Sequence, residues 1–190
     1  MTVEIIFTEG GKMKLIRYYP GTLLDHYAAV PICGEAVVVS RLKQQPPEGY
    51  EPIQATTCIG FRSKISGAFW DKALDYQFPI GSILGIPECE KGHFETDMLY
   101  WVHRSPATIP NSAIKLLFEV IGTRVCEVQK VKPKEMGKLL VPSVVTDCCS
   151  VLMIMELYDA FKDWYLDRYP SADWDKDYVE VVTVRRIEEP

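Results

Sequence analysis

The chain has 190 residues, 21 Lys+Arg against 26 Asp+Glu, a formal charge of −5 and 47% hydrophobic residues. That length and apolar fraction predict one globular domain with a core of its own, and exclude a disordered chain, a collagen-like repeat and a sustained coiled coil. The longest apolar runs, such as 36–39 and 151–155, fall far short of the ~20 residues that cross a bilayer. Residues 1–10 carry Glu4 and Glu9 instead of a basic start followed by an apolar stretch, so neither a membrane span nor a secretory signal is expected, and a cytoplasmic protein is.

In chain order, Val3 to Phe7 and Lys14 to Tyr18 alternate around Gly10-Gly11 and predict a hairpin. Thr22 to Ala29 reads as a short helix, and Gly34 to Leu42, with Val37, Val38 and Val39 in succession, as a buried strand. Gln44 to Pro52 is the strongest loop signal, because Pro46, Pro47, Gly49 and Pro52 deny the backbone regular pairing. Gln54 to Phe61 and Ser82 to Ile86 are further strands. Leu116 to Ile121 and Val125 to Val131 read as two paired strands broken at Gly122-Thr123. Between Ser150 and Tyr169 the period changes. Ile154, Leu157, Tyr158, Phe161 and Tyr165 share one helical face, and Glu156, Asp159, Asp163 and Asp167 share another. Tyr178 to Ile187 is a terminal strand. The expected class is α+β: a small, partly closed antiparallel β-barrel with flanking helices and a long late helix followed by a strand. Residues 1–30 are expected to be an extension packed on the same domain, formed by residues 31–190.

Six cysteines, Cys33, Cys58, Cys89, Cys126, Cys148 and Cys149, show no C-x-x-C pair and read as reduced, mostly buried thiols. Cys89, His93 and His103 could be drawn as a metal site, but the paired ligands usual at structural zinc are missing. No metal or cofactor is predicted.

Several segments together resemble a known family. Ile32-Cys33-Gly34-Glu35-Ala36-Val37-Val38-Val39-Ser40-Arg41-Leu42, with Lys43-Gln44-Gln45-Pro46-Pro47 after it, is similar to the opening of ASCH-domain proteins common in phages and prophages. That opening reads Leu-Ala-Gly-Arg-Lys-Thr-x-Thr-Arg-Arg-Leu, then Lys-Pro-Gln-Pro. Tyr76-Gln77-Phe78-Pro79-Ile80-Gly81-Ser82-Ile83-Leu84 resembles the family's Tyr-Gln-Pro-Gly-Asp-x-Leu. Ile109 to Leu116 is similar to Met-Pro-Arg-Trp-Ala-Ser-Arg-Ile, and Phe161, Trp164, Trp174 and Tyr178 to Val181 resemble its closing helix and strand. The order and spacing span about residues 32–187. The resemblance implies a PUA-like β-barrel and a habit of binding RNA, modified bases or nucleosides in a cleft.

In active relatives the resemblance implies hydrolysis by a lysine and a threonine of the opening motif with a glutamate from a later strand. Gapless pairing puts Ala36 at the lysine position and Val39 at the threonine position, leaving Glu88 alone. A methyl group carries no proton and a valine supplies no hydroxyl, so a pseudoenzyme is expected. Arg41, Glu88, Lys115 and Arg124 are the expected ligand-binding residues, with Phe69-Trp70 and Tyr100-Trp101 as candidate stacking platforms beside His103 and Arg104. Core packing is the competing reading for the aromatics. Lys130, Lys132 and Lys134 are either a phosphate-contact strip or ordinary solvated charge. The expected activity is therefore binding of RNA, a nucleotide or a modified nucleobase, without membrane attachment. Two alternatives stand beside it: a phage inhibitor contacting a host protein through the acidic helix face, and a nucleoside amidohydrolase or ribonuclease.

Overall fold

The computed structural model describes residues 3–8, 11–17, 29–87, 114–140 and 151–187. The strands are β1 (Val3–Thr8), β2 (Gly11–Arg17), β3 (Glu35–Arg41), β4 (Tyr50–Gln54), β5 (Cys58–Ser63), β6 (Leu74–Asp75), β7 (Ile83–Pro87), β8 (Ile114–Glu127) and β9 (Tyr178–Ile187). The helices are α1 (Pro133–Leu140) and α2 (Val151–Arg168), with a 3₁₀ turn at Val128–Lys130. Six strands form a curled, half-barrel sheet in the order β1-β2-β7-β8-β9-β3, and three form a second sheet, β4-β5-β6. Every pairing is antiparallel except β2 with β7, where Leu15 to Arg17 run parallel to Ile83 to Gly85. The protein is thus α+β. Among the described residues no helix is long and apolar enough to cross a membrane.

Alternation in β3 and β9 divides the core between two faces of the large sheet. Ala36, Val38, Val182 and Val184 pack inside the curl with Leu84, Ile86, Leu116 and Phe118. Val37, Val39, Val179 and Val181 pack on the opposite face against Met136 and Leu139 of α1 and Phe161 and Tyr165 of α2. Because β9 is covered on both sides, nearly all of its first seven residues are buried. A third cluster, centred on Leu42, Ile59, Phe61 and Tyr178, joins the small sheet to the large one.

Gly34 opens β3 from a tight turn: its N–H donates to the Pro31 carbonyl at 2.7 Å, and an added Cβ would stand 2.7 Å from that same oxygen. Cys33 takes a positive φ of 64° beside it. Local rules also explain α1. Pro133 occupies its first position, where the missing N–H costs nothing. The Glu135 carboxylate reaches back to accept the Lys132 N–H at 2.8 Å, as in a capping box. In α2 the apolar face seen in the sequence is inward, with Phe161 and Tyr165 buried, while Glu156, Asp159, Asp163 and Asp167 are exposed.

Four expectations are corrected. The Gln54–Phe61 strand is a hairpin, β4 and β5, turning at residues 55–57; the β-branched Thr56-Thr57 pair sits in the turn. Pro52 belongs to β4, not to the preceding loop, because β4 is an edge of its sheet and its missing N–H breaks no ladder there. The two strands expected from 116 to 131 are one 14-residue strand, β8, which pairs with β7 and β9. Gly122 marks a bulge in that strand: Val120 faces Val184 and Gly122 faces Thr183, leaving Ile121 as the extra residue. Of the cysteines, Cys126 is buried, Cys58 is half-buried and Cys33 is exposed. The helix expected at Thr22–Ala29, the Cys89–His93–His103 group and Cys148-Cys149 lie outside the described residues, apart from Ala29.

Candidate functional site

A cleft of about 530 Å³ opens where β3 ends and β9 begins. Arg41, Asp177 and Tyr178 form its floor. The loop 45–49, the residues Lys64 and Glu127, and the turn 173–176 form its walls. The volume lies within the range of small-molecule sites.

The floor is built by long-range bonds. Arg41 Nε donates to Asp177 Oδ2 at 2.6 Å and Arg41 Nη2 to Oδ1 at 3.0 Å. Asp177 Oδ2 also accepts the Tyr165 hydroxyl at 3.0 Å and the Asp173 N–H at 3.1 Å. One carboxylate thus ties β3, α2 and the 173–177 turn together. The bond to Asp177 raises the Arg41 pKa, and burial, followed by the Asp177 charge, pushes the Tyr165 hydroxyl well up. Gln45 holds the loop in place by standing in for a strand. Its Oε1 accepts the Tyr178 N–H at 2.7 Å, and its Nε2 donates to the carbonyls of Tyr178 and Leu42, both at 3.1 Å. Gln54 does the same for Val125, accepting its N–H at 2.9 Å and donating to its carbonyl at 3.3 Å.

The wall at Glu127 is a second charged node. Its carboxylate accepts Lys64 Nζ at 2.9 Å, Lys130 Nζ at 2.9 Å and the Tyr178 hydroxyl at 3.2 Å. The hydrogen bond from Lys64, supported by Lys130, lowers the Glu127 pKa to about 2. Burial, with the Glu127 charge next, raises that of Tyr178, whose hydroxyl also donates to the Tyr50 carbonyl.

The cleft lining holds Arg41, Lys64 and Lys176 against Glu48, Glu127, Asp173, Asp175 and Asp177, a net of −2 (3 − 5). The three cations are all paired within the lining: Arg41 with Asp177, Lys64 with Glu127, and Lys176 with Glu48 at 3.3 Å. Asp173 and Asp175 are left with neutral donors, the Asp175 N–H at 3.0 Å and Gln129 Nε2 at 2.7 Å. The cleft therefore offers more hydrogen-bond acceptors than donors. It suits an uncharged or cationic ligand rich in N–H and O–H groups and opposes a phosphate chain.

The residues singled out in the sequence are dispersed. Arg41 reaches the cleft, with its guanidinium fork already occupied. Arg124 is not in the cleft lining; both its Nε and Nη2 donate to Glu135 of α1, the first at 3.0 Å. Lys115 lies in β8 one residue after Ile114, which faces Pro87. Glu88, Trp101, His103 and Arg104 lie outside the described residues. Trp70 is half-buried, edge-on to Phe61 at 5.8 Å with Lys72 Nζ 5.6 Å from its ring centre. Lys130 and Lys132 are exposed in sequence with the 3₁₀ turn and the start of α1, and Lys130 is paired with Glu127. Ala36 and Val39, the positions aligned with the family's lysine and threonine, are both fully buried, on opposite faces of the sheet. Among the described residues no three acidic, cysteine or histidine side chains gather as a metal site.

The sequence reading missed Gln45, Glu48, Lys64, Glu127, Asp173 and Asp177 as site residues. The signals present were the Pro46-Pro47-Glu48-Gly49 loop and the Asp173-Trp174-Asp175-Lys176-Asp177 alternation, which are 124 to 131 residues apart and become neighbours only through β3–β9 pairing. Comparison with protein-family models, curated proteins and solved structures finds no match.

Proposed function

We propose that the chain is a non-catalytic ASCH-like module of PUA-like type that holds a modified nucleobase, nucleoside or RNA base in the cleft between the 45–49 loop and the 173–177 turn. The observation that carries this reading is the cleft itself: it has small-molecule dimensions and an excess of acceptors matched to the amino and hydroxyl groups of a base and its sugar. Binding without turnover is supported by Ala36 and Val39, which present a methyl group and a branched alkyl group to the core where relatives would present an amine and a hydroxyl. Titration calorimetry against nucleosides and modified nucleobases at low salt tests the reading. Saturable binding weakened by Asp175→Ala is expected, and absence of heat across the panel would remove the proposal.

A second reading, contact with a basic partner protein, is favoured by the exposed acidic face of α2. It requires that reversing Asp159 and Asp163 to lysine abolish stoichiometric co-purification with that partner; unchanged recovery would reject it.

A further inference from the structure

A second cavity, of about 320 Å³, lies between the segments 42–44 and 74–77. Its size is at the small end of the range of ligand sites. Leu42, Leu74 and Tyr76 give it apolar surface, and its charged groups are Lys43 on one wall and Asp75 on the other.

Both walls are fixed by bonds made behind the cavity. On one side the Leu42 N–H donates to the Tyr178 carbonyl at 3.1 Å and so continues the pairing of β3 with β9. On the other, the Tyr76 hydroxyl donates to the Ala55 carbonyl at 3.0 Å, and the N–H groups of Gln77 and Phe78 donate to the buried Glu180 carboxylate, each at 2.9 Å. Gln77 Nε2 donates to the Arg41 carbonyl at 3.0 Å, which ties one wall to the start of the other. A buried carboxylate held by neutral donors is costly, and the backbone it fixes here is this wall. Little ordering is left for a ligand to impose.

The charges of this cavity are arranged unlike those of the cleft, where each lining cation is paired. Among the described residues neither Lys43 nor Asp75 makes an ion pair, with the other or with any third side chain. Walls that hold an ammonium and a carboxylate apart complement a small molecule with one charge of each sign. A phosphate would meet Asp75, and a simple cation would meet Lys43. The apolar surface between them complements a hydrocarbon group.

We propose that the cavity between 42–44 and 74–77 binds a free α-amino acid with an apolar side chain, its carboxylate on Lys43, its ammonium on Asp75 and its side chain over Leu42, Leu74 and Tyr76. This site stands independently of the cleft reading. The test is titration calorimetry of the full chain at low salt with leucine, isoleucine, valine, methionine and phenylalanine, and with the N-acetyl and amide derivatives of each. At least one amino acid should bind saturably, and removing either of its charges should weaken it ten-fold or more. Lys43→Met should weaken the free amino acid about ten-fold and leave its amide unchanged; Asp75→Asn should weaken the free amino acid equally and leave its N-acetyl derivative unchanged. Both side chains are exposed, and circular dichroism of each variant checks that the fold is kept. Absence of heat with all five amino acids, or binding that ignores both substitutions, overturns the proposal.

Discussion

The Asp177 carboxylate, with a side chain only 4% exposed, takes both the Nε and the Nη2 of Arg41 across 136 residues of sequence. An arginine that would be read as a ligand-binding cation is therefore also the counter-ion that makes a buried aspartate tolerable. Arg41→Ala leaves that aspartate without a cation and should cost about 3–5 kcal/mol of stability, as seen when one partner of a buried pair is removed. Arg41→Lys keeps the charge but loses the two-pronged geometry and should cost less. Urea unfolding midpoints decide the matter; an Arg41→Ala midpoint equal to wild type would show that the pair does not hold the cleft floor.

Gln45 couples the cleft loop to Tyr178, the first residue of β9, through two hydrogen bonds, and to the Leu42 carbonyl through a third. Gln45→Ala orphans the Tyr178 N–H and should destabilise by about 1–3 kcal/mol. Hydrogen exchange at the Tyr178 amide should accelerate more than exchange at Val182, deep in the same strand. Equal protection of Tyr178 in the variant would contradict the coupling.

Glu180 is fully buried and, among the described residues, accepts from neutral donors: Gln77 N–H at 2.9 Å, Phe78 N–H at 2.9 Å and the Thr123 hydroxyl at 3.1 Å. Burial raises its pKa above the ordinary 4.5, and the backbone N–H groups of Phe78 and Gln77 offset part of that rise. The folded chain thus holds this proton more tightly than the unfolded one, so the contribution of Glu180 is most favourable below pH 4.5 and is lost as pH rises through the raised value. Glu127 has the opposite sign: held near 2, it contributes stability above pH 4.5 that disappears as pH falls toward 2. Glu180→Gln should therefore flatten the stability profile above pH 4.5, and Lys64→Ala should flatten it below. Glu180→Gln should also lower stability by about 1–3 kcal/mol, because its amide would set a donor against the Gln77 N–H. Thermal unfolding across pH 3 to 8 reads both effects; a Glu180→Gln profile parallel to wild type would contradict the assignment.

Placing a lysine at position 36, where the resembled ASCH opening carries one, is predicted to break the fold. Ala36 is fully buried, in one apolar cluster with Val38, Leu84 and Ile86 inside the curl. An ammonium placed there has no partner among those side chains and must be desolvated. Ala36→Lys should lose cooperative unfolding by circular dichroism. A folded variant with wild-type melting would show that position 36 reaches solvent.

Where burial pattern alone decides an element, the sequence was sufficient. The valine run of β3, the two-sided apolar alternation of β9 and the helical period of α2 each dictate a single way to cover apolar surface. The length of β8 was not legible, because Gly122-Thr123 looks like a turn when its neighbours are unknown and becomes a bulge once β9 runs past both halves. The 133–140 helix was hidden by the charge of Lys130, Lys132 and Lys134, although Pro133 and Glu135 carry its start signal. The cleft was least legible. Arg41 and Arg124 stand out as cations in the sequence, whereas Asp177 and Glu135, which engage them, are revealed only by strand pairing and helix packing.

We read the cleft over Arg41 and Asp177 as a ligand site. Backbone amide shift mapping of the ¹⁵N-labelled chain during titration with a nucleoside panel tests it most directly. Shifts concentrated at residues 45, 48, 49, 64, 127 and 173–178 are expected. Shifts confined to the acidic face of α2, or no shifts with any nucleoside, would contradict it.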